Sequence, residues 1–281
     1  MKELEQRRKN KFFAFFELLY RKFPKLVALN LVYFICILPL LCAAVYFVLG
    51  LFDISPEIIS NTYAAKTFLK LIAIEWLPAA VKWALVMISA LAFGPLTCGF
   101  TYVLRCHANG QHTWFSDFFS RAKENWKQGL ALGLIDIILF ICLILYLSMD
   151  LSVVVGELGY YYLILVMKYV AIAAMILYFM MRFYTYTIAV SVELKLRDIL
   201  RNARLFLVLG AGRNLLALVI IAAVTFAFLS TSFIDFVLLV TLLFSFCGFV
   251  AMYLTFPVVK KYMYPEETEQ EFLETNEEDA D

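Results

Sequence analysis

Two charged side chains sit where charge is costly: Asp136 within the apolar run 130–149 and Lys168 within the run 160–184. Ionisable groups at membrane depth mark ion, proton or solute pathways unless they serve as structural pairs. At 1.5 Å of rise per residue they lie about 10 Å and about 12 Å in from opposite faces, so their backbones differ in height by roughly 8 Å, within reach of a lysine. The spacing predicts an Asp136–Lys168 pair. It would serve as a coupled proton or solute site or as a structural ion pair, the remaining reading being a lysine that simply snorkels.

Other chemistry has weaker support. Arg105, Cys106, His107, Ala108, Asn109, Gly110, Gln111 and His112 form a run with three soft or borderline metal ligands, and Asp117 follows. Zinc sites draw four ligands from paired spacings, and adjacent Cys106 and His107 before an Asn-Gly turn do not supply them, so no metal or cofactor is expected. There is no G-x-S-x-G, no HExxH and no Gly-rich phosphate loop, and both histidines share one loop. No enzymatic activity is expected. Gly94-Pro95 in the second apolar run and Pro39 in the first are predicted breaks of the kind whose freed carbonyls transporters use for binding.

The elements that must hold these residues follow from composition. Of 281 residues 63% are hydrophobic and 17% charged, with a mean hydropathy of +0.82; soluble domains are about 45–50% apolar and about 25% charged. A water-soluble globule is excluded, and 27 Phe, 16 Tyr and 4 Trp exclude disorder over most of the length. A membrane helix needs about 20 apolar residues. Runs of that kind occupy 26–52, 83–104, 130–149, 160–184, 214–230 and 235–259. The fold class is therefore all-α: one integral membrane domain over 1–265, a polytopic bundle of six transmembrane helices. An acidic tail at 266–281, nine acids without a base, is expected to be disordered. The net charge of +1 argues against nucleic acid as a partner. The six cysteines lie in or beside apolar runs and read as small packing residues.

Orientation follows from the basic residues. All but Lys66, Lys70, Lys82 and Lys168 of the 24 fall on one side of this topology. Basic loops stay cytoplasmic, so both termini are expected inside, with Arg182 snorkelling at the boundary. The first apolar run is too long for a cleaved signal region and is expected to remain as an anchor. On the outer side 53–82 is the one sizeable loop, where Ser55-Pro56-Glu57 reads as a helix start.

The cytoplasmic pieces before the first, third and fifth spans each carry apolar residues at i, i+3, i+4, i+7 and i+11, one face of a helix. They are Phe12, Phe15, Phe16, Leu19 and Phe23; Phe115, Phe118, Phe119, Ala122 and Trp126; and Leu196, Ile199, Leu200, Ala203 and Leu207. The last two align at an offset of 81, which sets Asp117 on Asp198, Lys123 on Arg204 and Gly129 on Gly210. Three units of an amphipathic helix and two spans are expected, either repeated or alike only as basic juxtamembrane helices. Phe115, Phe118, Phe119, Arg121, Lys123, Trp126, Arg201 and Arg204 form the candidate cytoplasmic interaction surface. The four aromatics are expected to be buried in lipid or against the bundle, and membrane lipid or a membrane-protein partner to meet the surface.

Phe93-Gly94-Pro95-Leu96, the stretch 99–105, and 114–128 with its Asp117-Phe118-Phe119 core and Lys123, Asn125 and Trp126, together with Leu29-Asn30-Leu31-Val32-Tyr33, resemble the YesL family of bacterial integral membrane proteins. The resemblance implies a family of similar size and span number, without a characterised molecular activity or catalytic residues, encoded near carbohydrate uptake systems. It implies an auxiliary role in sugar import or its regulation, in a Gram-positive-type plasma membrane; a transporter subunit is the protein partner expected at the basic cytoplasmic helices. The acidic tail and the long outer loop depart from the family pattern.

Overall fold

The computed structural model describes residues 11–52, 78–111, 113–149, 158–228 and 237–264. The expected helix start at Ser55, most of the first outer loop, His112 and the acidic tail lie outside these residues. All regular structure among the described residues is helical: α1 (Lys11–Leu51), α2 (Ala79–Ala108), α3 (Phe115–Glu124), α4 (Trp126–Ser148), α5 (Leu158–Ala189), α6 (Leu196–Leu209), α7 (Ala211–Phe228) and α8 (Phe244–Met263), the last entered through a π-helical turn, Leu239–Leu243. Five stretches are long and apolar enough to cross a membrane: Phe13–Leu51, Ala79–Ala108, Trp126–Ser148, Tyr162–Ala189 and Val240–Met263. The α6–α7 pair, bent by 88°, is a sixth candidate if it forms one span; the 18 residues of α7 rise about 27 Å. The chain is a multi-pass helical membrane protein.

The helix bounds refine the expected spans. The amphipathic piece before the first span is not a separate element, because α1 runs unbroken for 41 residues through Pro24 and Pro39. The other two amphipathic helices do turn into their spans, and each turns on one residue: Asn125 (φ −96°, ψ 20°) between α3 and α4, and Gly210 (φ −98°, ψ 13°) between α6 and α7. No Asn or Gly stands at the corresponding point of α1, where the chain reads Phe23-Pro24-Lys25. The 81-residue register extends to the helix ends: α2 stops at Ala108 and α5 at Ala189, and α3 starts at Phe115 and α6 at Leu196. The second amphipathic helix is the longer, 14 residues against 10.

The hub of the bundle is α2, which packs against α1, α3, α4, α5 and α8. Small residues allow this. A methyl group on Gly94 would fall 1.8 Å from the Gly129 carbonyl oxygen, and one on Gly133 would fall 2.7 Å from the Gly94 backbone. Gly129 and Gly133 on α4 are spaced as the small-x-x-x-small pattern that lets membrane helices cross backbone to backbone. Gly94-Pro95 is therefore not a break, since α2 continues through it, and Pro95 lies under Gly129 with its Cα 2.8 Å from where a Gly129 methyl would stand.

A polar joint ties α1 to the start of α8. Asn30, fully buried, donates from Nδ2 to the Val240 carbonyl at 2.7 Å and accepts the Ser245 N–H on Oδ1 at 2.7 Å. The carboxamide thus satisfies a carbonyl and an N–H at the two ends of the π-helical turn, a rung that a widened helix leaves open. Tyr33, one turn on, bonds Thr97 of α2 through its hydroxyl at 2.8 Å and stacks on Phe100 with ring centroids 4.2 Å apart.

Candidate functional site

α4 and α5 meet at Asp136, whose carboxylate accepts three hydrogen bonds from one face of α5. Tyr178 Oη reaches Oδ1 at 2.6 Å, while Arg182 Nε and Tyr186 Oη reach Oδ2, each at 2.7 Å. Tyr178, Arg182 and Tyr186 are four residues apart, so they stand above one another on a single helix face. The guanidinium is also held between rings, 4.9 Å from the Tyr186 centroid and 5.7 Å from that of Phe93 on α2. Asp136 is 9% exposed. It lies ten residues into α4, and Arg182 seven residues before the end of α5, which places the cluster about 10–15 Å inside that end of the bundle.

Two expectations are corrected here. Asp136 does not pair with Lys168; its cation is Arg182, which does not snorkel at the boundary. Lys168 donates instead to the Leu147 and Met149 carbonyls at 2.9 and 2.7 Å, closing the last turn of α4, where a helix C-terminus favours a cation. Eleven residues of α4 separate Asp136 from Leu147, about 16 Å of rise, beyond the reach of a lysine side chain. The first turns of α5 overhang the end of α4, so residues at similar depth from their own span ends are not level. The i, i+4, i+8 repeat of Tyr178, Arg182 and Tyr186 was the available signal for the true partners.

The cluster is built around a pinned carboxylate, with three of its roughly four lone-pair sites taken. Three strong donors fix the carboxylate, charge-assisted bonds of this kind being about twice as strong as neutral ones. Its arrangement joins α4 and α5 and, through Phe93, α2.

At the end of the bundle where α1 begins, Lys22 Nζ donates to the Gln111 carbonyl at 2.7 Å, Gln128 Nε2 to that of Leu194 at 2.7 Å and Tyr264 Oη to that of Ser191 at 2.7 Å. Arg105 bonds the Ser191 hydroxyl. These bonds gather the α2–α3, α5–α6 and α8 ends on one side. Of the aromatics expected to be buried, only Phe118 is covered by the bundle, with 0% exposure; Phe115, Phe119 and Trp126 are 49%, 48% and 51% exposed. Phe118 and Ala122 sit over Gly99 of α2, where an added methyl would fall 2.2 Å from the Phe118 carbonyl oxygen. The matching positions on α6, Ile199 and Ala203, are likewise fully buried. Arg121 pairs with Glu124 at 2.7 Å and lies 4.6 Å from the Tyr102 ring centroid. Lys123, Arg201 and Arg204 are exposed. Phe118→Ala should therefore cost about 3–5 kcal/mol, the range for a buried Phe, whereas Phe119→Ala should leave the thermal midpoint in detergent within about 2 °C of the parent. Equal losses would show that α3 is not seated through Phe118.

The Cys106–His107 pair lies in the last turn of α2, with both residues buried. His107 Nε2 is 3.1 Å from the Thr113 hydroxyl. Among the described residues no three His, Cys, Asp or Glu side chains converge to hold a metal. The six cysteines form no disulfide.

Comparison with protein-family models, curated proteins and solved structures yields no match.

Proposed function

We propose that the protein is a plasma-membrane scaffold with both termini cytoplasmic, an auxiliary component of carbohydrate uptake or its regulation that docks a transporter subunit on its basic end. The observation that carries this reading is α3. Phe118 and Ala122 seat the helix on α2, while Trp114, Phe115, Phe119 and Trp126 remain 48–72% exposed beside Arg121, Lys123 and Lys127. Aromatic and arginine side chains together are the composition of protein-binding hot spots. The resemblance to the YesL family supports the uptake context. The alternative, a small-solute transporter working through an intramembrane charge pair, has less support, because Asp136 is held in place by Arg182 and two tyrosines.

Two measurements test the reading. In mild detergent a membrane transport protein should co-purify in stoichiometric amount and be lost with Phe115→Ser/Phe119→Ser, at unchanged thermal stability. A solitary monomer whose melting point rises on adding a sugar would favour the transporter. For orientation, a cysteine probe at Ser120, in a background without the native cysteines, should resist labelling from outside while one at Ser60 reacts. Outside labelling of Ser120 would invert the topology.

A further inference from the structure

We propose that the acidic C-terminal segment, 266–281, folds back in cis onto the arginine face of α6. Arg197, Arg201 and Arg204 line an open hollow of about 490 Å³ together with Asp198. They stand at i, i+4 and i+7, so the three guanidinium groups share one side of the helix, stepping about 6 Å and about 4.5 Å along its axis. Among the described residues none of the three has a hydrogen-bond or ion-pair partner. The neighbouring carboxylate, Asp198, lies in the first turn of α6 and lines the same hollow, where its single charge leaves an excess of positive charge. Three like charges around one hollow call for a counter-charge.

The end of α8 brings one beside α6, on the buried face opposite the arginines, so the segment reaches them by passing around the helix. The Tyr262 ring lies 6.1 Å from that of Phe206 on α6. Lys261 and Tyr262 also line a second hollow, about 280 Å³, with Leu209, Gly210 and Arg213. Two residues after Tyr264 the acidic segment begins, with nine acids and no base. Ten residues at about 3.3 Å each reach about 33 Å, and the 14 residues of α6 are about 21 Å long. Glu267, Glu269 and Glu271 alternate, and an extended chain sets every second residue on one side about 6.6 Å apart, close to the Arg197–Arg201 step. Tethering holds the carboxylates at an effective concentration of order millimolar, so attractions that are individually weak in water act together. An anionic leaflet would repel the segment, which makes lipid headgroups its competitor for the same guanidinium groups. The contact needs only charge and geometry and stands independently of the scaffold reading.

The test places p-benzoylphenylalanine at Phe272 in the full chain, in neutral lipid-free micelles at low salt. Irradiation should cross-link the segment to α6 within one chain. Arg197→Gln/Arg201→Gln/Arg204→Gln, all exposed positions, should lower the yield about ten-fold at unchanged melting point, as should 1 M NaCl, where the screening length is about 3 Å. Cross-links insensitive to both changes would overturn the proposal. So would cross-links chiefly between chains, which would name a second copy as occupant. A third contrary result is a triple variant that loses only its binding to phosphatidylglycerol vesicles while the cross-link persists, since headgroups would then occupy the hollow.

Discussion

Arg182→Met should destabilise the protein by about 3–5 kcal/mol, the cost of leaving one partner of a buried ion pair uncompensated. Asp136 would keep the Tyr178 and Tyr186 hydroxyls, but two neutral donors do not neutralise a carboxylate that is 9% exposed. Asp136→Asn strands the guanidinium in the same way, while the double variant removes both charges and should recover part of the loss, a coupling of 0.5–3 kcal/mol being usual for groups in contact. Lys168→Met should combine additively with Asp136→Asn, because the lysine bonds the Leu147 and Met149 carbonyls one end of α4 away. Thermal midpoints in detergent for the single and double variants decide the matter. Coupling of Asp136 to Lys168 but not to Arg182 would refute the register between α4 and α5. Tyr178→Phe removes one bond to a charged acceptor and should cost about 1.5–3 kcal/mol.

Membrane class, five to six candidate crossings and the amphipathic character of α3 and α6 were legible, because apolar run length and a period of 3.6 are properties of the chain itself. So was the inward direction of Asp136, since a carboxylate against hydrocarbon is costly wherever the helix sits. Its partner was not legible. The level at which α5 passes α4 is set by packing on both helices, and depth from the nominal span ends misplaces α5 by several turns. The corner residues tell a similar story: Asn125 and Gly210 could be read as turn formers, but that α1 lacks such a residue shows its meaning only when α1 is seen to run straight. In the sequence Asn30 is an isolated polar residue in an apolar run. Its role appears once Val240 and Ser245, more than two hundred positions later, stand opposite.

Gly94→Ala should abolish the close crossing of α2 and α4 and with it most of the folded protein. The added methyl would stand 1.8 Å from the Gly129 carbonyl oxygen and 2.9 Å from the Gly133 nitrogen. Backbone atoms cannot rotate away as a side chain does, so the helices must separate. Overpacking that side chains can relieve costs about 1–3 kcal/mol; relief here moves a whole helix and should exceed that range. Separation also reaches the charge cluster. Phe93, whose ring faces Arg182 at 5.7 Å, is the side chain nearest Gly133, 3.6 Å from where a methyl there would stand, and Asp136 follows Gly133 by three residues on α4. Gly50→Ala and Gly212→Ala provide the contrast. Neither added methyl meets an atom within 4 Å, and alanine is favoured over glycine within a helix by about 1 kcal/mol, so both should be neutral or slightly stabilising. If Gly94→Ala melted with these two variants, α2 and α4 would not touch backbone to backbone, and the placement of Asp136 beneath Arg182 would lose its support.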